Sequence, residues 1–111
     1  MEIGFSTARF EKVCTDKSAR QRKLGSERAR KLLMRLDQLS AAADLAEFTK
    51  LPQVRCHQLG ADRDEQVSAD LDGPYRLIFE VADDPIPRKS DGGIDTAAVH
   101  RVILIEITDT H

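Results

Sequence analysis

The chain has 111 residues, of which 41% are apolar and 32% charged. That is the size and balance of one small globular domain, and too apolar for a disordered chain. Its net charge of −2 argues against a nucleic-acid binder working through bulk charge, and two cysteines, Cys14 and Cys56, are too few for a disulfide scaffold. No apolar run approaches the length of a membrane span, and the opening Met1-Glu2-Ile3-Gly4-Phe5 lacks the basic and apolar regions of a secretory signal. A single cytoplasmic domain over residues 1–111 is expected.

Glu2 to Ser6 reads as a short strand with Ile3 and Phe5 on one face. A helix begins at Thr7, a suitable N-cap, with Phe10, Val13 and Cys14 spaced for burial. Gly25-Ser26 breaks the chain, and Ser26 is placed to cap a second, longer helix. In that helix Ala29, Leu32, Leu33, Leu36, Leu39 and Ala43 follow the spacing of a core-facing stripe, while Arg28, Lys31 and Arg35 share another face and are expected to point to solvent. The helix continues or restarts through Ala41 to Phe48 and ends before Leu51-Pro52.

The period then changes. Val54 to Leu59, Gln66 to Leu71, Tyr75 to Val81 and Arg101 to Thr108 read as strands. Asp72-Gly73 is a tight-turn signal that predicts an antiparallel hairpin between the second and third of these. Val102 to Ile105 is apolar on consecutive residues, the mark of a strand covered on both faces and central in its sheet. Ala82 to Ala97 reads as a long polar loop, expected to be mobile. The expected fold is α+β, with two N-terminal helices packed on one face of a twisted, mostly antiparallel sheet of four or five strands. The other face is left concave and more polar.

Charge is unevenly distributed. Residues 1–55 hold 12 Lys/Arg against 7 Asp/Glu, and residues 56–111 hold 5 against 12. Lys17, Arg20, Arg22, Lys23, Arg28, Arg30, Lys31 and Arg35 face only one acid, Glu27, between positions 17 and 35. Arg20, Arg22, Lys23, Arg28, Lys31 and Arg35 are therefore candidates for phosphate contact, with a solvated helix face as the plainer alternative.

Phosphate-binding glycine loops, nucleophile elbows and zinc signatures are absent, so no cofactor and no metal is expected. Cys56 and His57 are adjacent in a strand and therefore point to opposite faces, which disfavours a nucleophile–base pair. A buried Cys56 beside an outward His57 is expected. The remaining chemistry-bearing residues are dispersed: His57, Arg76, Asp109 and His111.

Their setting resembles a known family. Arg55-Cys56-His57-Gln58-Leu59, then Gln66 to Leu71, Asp72-Gly73 and Pro74-Tyr75-Arg76-Leu77-Ile78-Phe79, followed by the terminus Ile105-Glu106-Ile107-Thr108-Asp109-Thr110-His111, are similar to the sheet of HigB-like toxins in the RelE/ParE superfamily. The resemblance implies a RelE-like toxin domain and a cognate antitoxin partner, often a helix-turn-helix protein. It also implies metal-free cleavage of mRNA on the ribosome. In such chemistry His57 and His111 would move protons, Arg76 would hold the phosphate and Asp109 would orient a histidine or the attacking hydroxyl. Thr110 stands where the family has a tyrosine, and the turn Gly60 to Glu65 is acidic where the family is lysine-rich. A non-catalytic protein on the same scaffold, binding an antitoxin and acting in transcriptional regulation, is the competing expectation.

Overall fold

The computed structural model describes residues 1–60, 63 and 65–109. The chain opens with β1 (Glu2–Phe5), followed by α1 (Ala8–Thr15), α2 (Lys17–Leu24), α3 (Ser26–Ala41) and α4 (Leu45–Thr49). A 3-10 turn over Pro52–Val54 leads into β2 (His57–Gln58), β3 (Val67–Asp70), β4 (Tyr75–Val81) and β5 (Arg101–Asp109). The strands form one sheet in the order β1-β5-β4-β3-β2. Three neighbouring pairs are antiparallel and β1 runs parallel to β5, so the sheet is mixed.

Local signals account for most boundaries. The Thr7 hydroxyl accepts from Phe10 N at 3.1 Å and caps α1. The expected first helix is two helices, because the Asp16 carboxylate accepts from Ser18 N at 3.0 Å and starts a new one. Ser26 is not a cap. Gly25 occupies that place at φ 77°, a backbone conformation suited to glycine, and Ser26 is already inside α3. The hairpin at Asp72-Gly73 is present, with Tyr75 N donating to Asp72 O, Leu71 N donating to Tyr75 O, and Gly73 at φ 53°.

The expected strand 54–59 is shorter than its sequence pattern. Pro52 starts a 3-10 turn, Arg55 turns left-handed at φ 42°, and only His57–Gln58 pair with β3. The segment Ala82 to Ala97 has fixed contacts at several points. Asp83 accepts from His100 N and Arg101 N, Arg88 bridges to Ile94, and Ile94 is buried.

The helices cover the sheet face that carries Val67, Ala69, Leu77, Phe79, Val102 and Leu104, where these meet Leu32, Leu39, Leu45 and Phe48 in one core. Phe48 and Phe79 meet edge to face, with ring centroids 6.1 Å apart. β5 is interior, between β1 and β4, with Val102 and Leu104 buried and Ile103 and Ile105 partly covered. The stripe on α3 is rotated from the expected one. Ala29, Leu32 and Leu39 are buried, Leu36 packs partly, and Leu33 is 43% exposed. Past the end of α3, Ala42 takes the buried place expected for Ala43.

That rotation also corrects the basic stripe. Arg35 is buried, donating from Nε to Asp70 O at 2.7 Å, from Nη2 to Gln53 O at 3.1 Å and from Nη1 to Gln38 Oε1 at 3.0 Å. Arg20 is buried too, with Nη1 donating to Cys14 O at 2.8 Å. Neither is presented to solvent for phosphate: Arg35 has all three guanidinium nitrogens on protein acceptors, and Arg20 is buried with Nη1 on a main-chain carbonyl.

No helix among the described residues is long and apolar enough to cross a membrane.

Candidate functional site

The sheet face away from the helices is built from strand alternation. Two cross-strand rows lie on it. One runs His57–Ser68–Ile78–Glu106 and the other Asp70–Arg76–Thr108. His57 is exposed at the β2 edge, Ser68 is buried, and Ile78 is fully buried in mid-sheet. Arg63 lies 3.6 Å from Glu106 Oε2 and thereby reaches over β4, while its Nη1 donates to Gln66 Oε1 at 3.0 Å. Gln66 Nε2 in turn donates to Glu80 Oε1 at 3.0 Å. The face thus carries a polar group Glu106–Arg63–Gln66–Glu80 on one side of the apolar Ile78, and no open basic groove.

Arg76 stands in this face but is already engaged. Its Nε lies 2.9 Å from Asp70 Oδ1, and its Nη1 donates to Gly73 O at 3.0 Å and Tyr75 O at 2.9 Å. Arg55 approaches the other oxygen of Asp70 at 3.9 Å. A phosphate that used the Nε of Arg76 in a two-point contact would have to displace the Asp70 carboxylate. His57 shares the face with Arg76, two strands over and two residues along, a Cα separation of about 12 Å from strand spacing and rise.

Asp109 is on the opposite face. β5 pairs Arg76 with Thr108 and Tyr75 with Asp109, so Asp109 lies on the side of Tyr75, which faces the helices. The cause is a register shift. Val102 and Leu104 point to the core, and unbroken alternation from them would place Asp109 on the outer face with Arg76. Phe79 pairs with Leu104 and Ile78 with Glu106, so Ile105 is an extra residue and everything after it changes face. Asp109 therefore does not join His57 and Arg76. His111 and Thr110 lie outside the described residues.

Cys56 packs against the core beside the outward His57, as strand alternation requires. Burial pushes its thiol up to about 12, with the Asp70 carboxylate acting in the same direction. Burial likewise raises the Cys14 thiol to about 12 against the opposing effect of Arg20. Both are poor nucleophiles at neutral pH. Among the described residues, no group of three or more His, Cys, Asp or Glu is placed to hold a metal ion.

The six phosphate-contact candidates are dispersed. Arg20 and Arg35 are buried, and Arg28 is half-buried with Nε 2.9 Å from Asp72 and its guanidinium 3.6 Å from the Tyr75 ring centre. The hydrogen bond to Asp72 leads the forces that hold Arg28 protonated. Lys31 is half-buried, and of the six only Arg22 and Lys23 are exposed.

A feature not anticipated from sequence is a hollow of about 370 Å³ between α1–α3 and β5, lined among others by Phe10, Leu24, Tyr75 and Ile107 with Arg9 and Lys23. Phe10 and Val13 carry the spacing of a buried face, which identifies an apolar surface but not a gap beside it.

No family model matches the chain, and no curated protein matches it by sequence.

Proposed function

We propose that the chain is a RelE-like protein of a type II toxin–antitoxin module that acts by binding a partner protein rather than by cutting mRNA. The partner expected on that reading is a helix-turn-helix antitoxin, and the complex would act in transcriptional regulation. The observation that carries the non-catalytic part is the engagement of Arg76 by Asp70 and two main-chain carbonyls. A phosphate stabiliser needs free donors aimed at the developing charge, and the Nε and Nη1 of this guanidinium are taken by protein acceptors. The position of Asp109 across the sheet from Arg76 acts in the same direction.

The toxin-like scaffold is supported by the order strand, helices, antiparallel strands, with the hairpin at Asp72-Gly73 and the aromatic–Arg–apolar strand Tyr75–Val81. The ribosome-dependent endonuclease remains the second reading, favoured by one observation: His57 and Arg76 share the outer face. Inducing the full chain without any partner separates the two. The binding reading expects unchanged growth and intact translated mRNA, together with co-purification of the product of a neighbouring helix-turn-helix gene. Growth arrest with mRNA cuts that His57→Ala removes would establish the nuclease.

A further inference from the structure

We infer that the second half of β5 is a docking edge for an extended segment of a partner protein with the side-chain pattern acid–x–apolar–x–acid. The first support is an unfilled strand position. β1 runs beside β5 only as far as the pair Phe5–Leu104. Ser6 N then donates to Leu104 O at 2.9 Å and Ser6 Oγ to Ile105 O at 3.2 Å, after which Thr7 caps α1 and the chain turns away. β5 itself continues to Asp109. Among the described residues no strand runs beside its last part on that side.

The direction of the main-chain groups follows from the hairpin. Tyr75 exchanges hydrogen bonds toward β3, so Arg76 and Ile78 face β5, where their partners are Thr108 and Glu106. Ile107, between those two, turns its N–H and C=O outward to the edge. Such an edge is a template for another strand.

The second support is the hollow of about 370 Å³ that opens beside this edge. Phe10, Val13, Leu24 and Ile107 make it apolar, and Arg9 and Lys23 stand exposed on its rim. An adjoining hollow adds Lys12 and Arg22, so the rim is positive well beyond the pocket. A strand laid against Ile107 sends every second side chain over the helix face. The one above the hollow must be apolar, and those two positions away on the same face meet the basic rim. The intervening x residues point to the other face, beside Glu106 and its partner Arg63, and carry no charge requirement. Main-chain pairing would supply affinity and the pocket selectivity, the division of labour in strand addition. The occupant is thus an acidic and apolar segment of another protein.

This inference rests on reading the chain as a binding protein, and the two fail separately. A partner bound elsewhere would keep that reading and remove this site, and a chain that cuts mRNA could still accept a strand here. The test uses the full chain and a displayed library of random linear peptides, selected for binding and then measured against the double variant Arg9→Glu/Lys23→Glu. Enriched peptides should carry the acid–x–apolar–x–acid pattern and bind the double variant at least about tenfold more weakly. They should also slow hydrogen exchange of the Ile107 amide.

Because a peptide can be altered without touching the protein's fold, N-methylation of the peptide amide that pairs with Ile107 provides a second arm and should abolish binding. Peptides lacking the pattern, equal binding by the double variant, or unchanged exchange at Ile107 would overturn the site. So would an Ile107 amide protected before any peptide is added. Protection that grows with protein concentration would then identify a second copy as the occupant.

Discussion

Arg35 and Asp70 are joined by a hydrogen bond to the main chain and not by contact of guanidinium with carboxylate. The guanidinium donates to the Asp70 carbonyl at 2.7 Å, while the Asp70 carboxylate is turned to Arg76 at 2.9 Å. One residue thus ties α3 to the end of β3 and, with its other face, holds Arg76 away from solvent ligands. Burial lowers the pKa of Arg35, and the nearby Asp70 charge raises it in partial compensation.

Arg35→Ala should be the most damaging exchange on α3. It removes a buried side chain and leaves the part-buried carbonyls of Asp70 and Gln53 without their donor, at a cost of about 1–3 kcal/mol. Arg35→Lys should recover little of this, because one ammonium cannot span both carbonyls. Urea unfolding measures the loss. Arg30→Ala on the exposed side of the same helix should stay within about 0.5 kcal/mol of the parent.

Arg28 is a stability residue by the same reasoning. It pairs with Asp72 at 2.9 Å and stacks on Tyr75 at 3.6 Å, and it clamps α3 onto the hairpin turn. Arg28→Ala should cost about 1–2 kcal/mol. In a double-mutant cycle Arg28 and Tyr75 should couple, measured with Tyr75→Leu to retain the apolar volume; additive losses would deny the stacking contribution.

Both thiols are held protonated by folding. Each folded value lies near 12, against 9.0 for a free thiol. Their contribution is therefore intact below pH 9.0 and is lost as pH rises toward the folded value, since only the unfolded chain ionises in that window. Stability should fall by at most roughly 1.4 kcal/mol per pH unit for each thiol in that range. Cys14→Ala/Cys56→Ala should show a shallower alkaline decline in thermal melts. At neutral pH the native chain should resist alkylation until it is unfolded.

Arg76→Ala should release Asp70 without exposing a functional defect. Partner binding by the Arg76 variant should match that of the parent within about threefold, because the group it pairs with is on the outer face and away from the β5 edge. A growth phenotype present in the parent and lost in Arg76→Ala would instead assign the residue to phosphate.

Much of the fold was legible from local chemistry. The Thr7 cap, the Asp72-Gly73 turn, the bounds of β4 and the opposite burial of Cys56 and His57 are set by side chains within a few residues of each other. Backbone alternation and capping need no knowledge of distant contacts. The interior place of β5 was also readable from its consecutive apolar run, although Ile103 and Ile105 are covered only in part.

Two matters were decided only in three dimensions. Leu33 and Arg35 lie near opposite borders of the α3 stripe, and which border turns inward depends on where the acceptors Asp70 O and Gln53 O stand, far along the chain. The face occupied by Asp109 depends on one extra residue at Ile105, opposite the junction of Ile78 and Phe79. A period of two carries no memory of a bulge, so the sequence placed Asp109 beside Arg76. The register, set jointly by the packing of β4 and β5, turned it to the helix side.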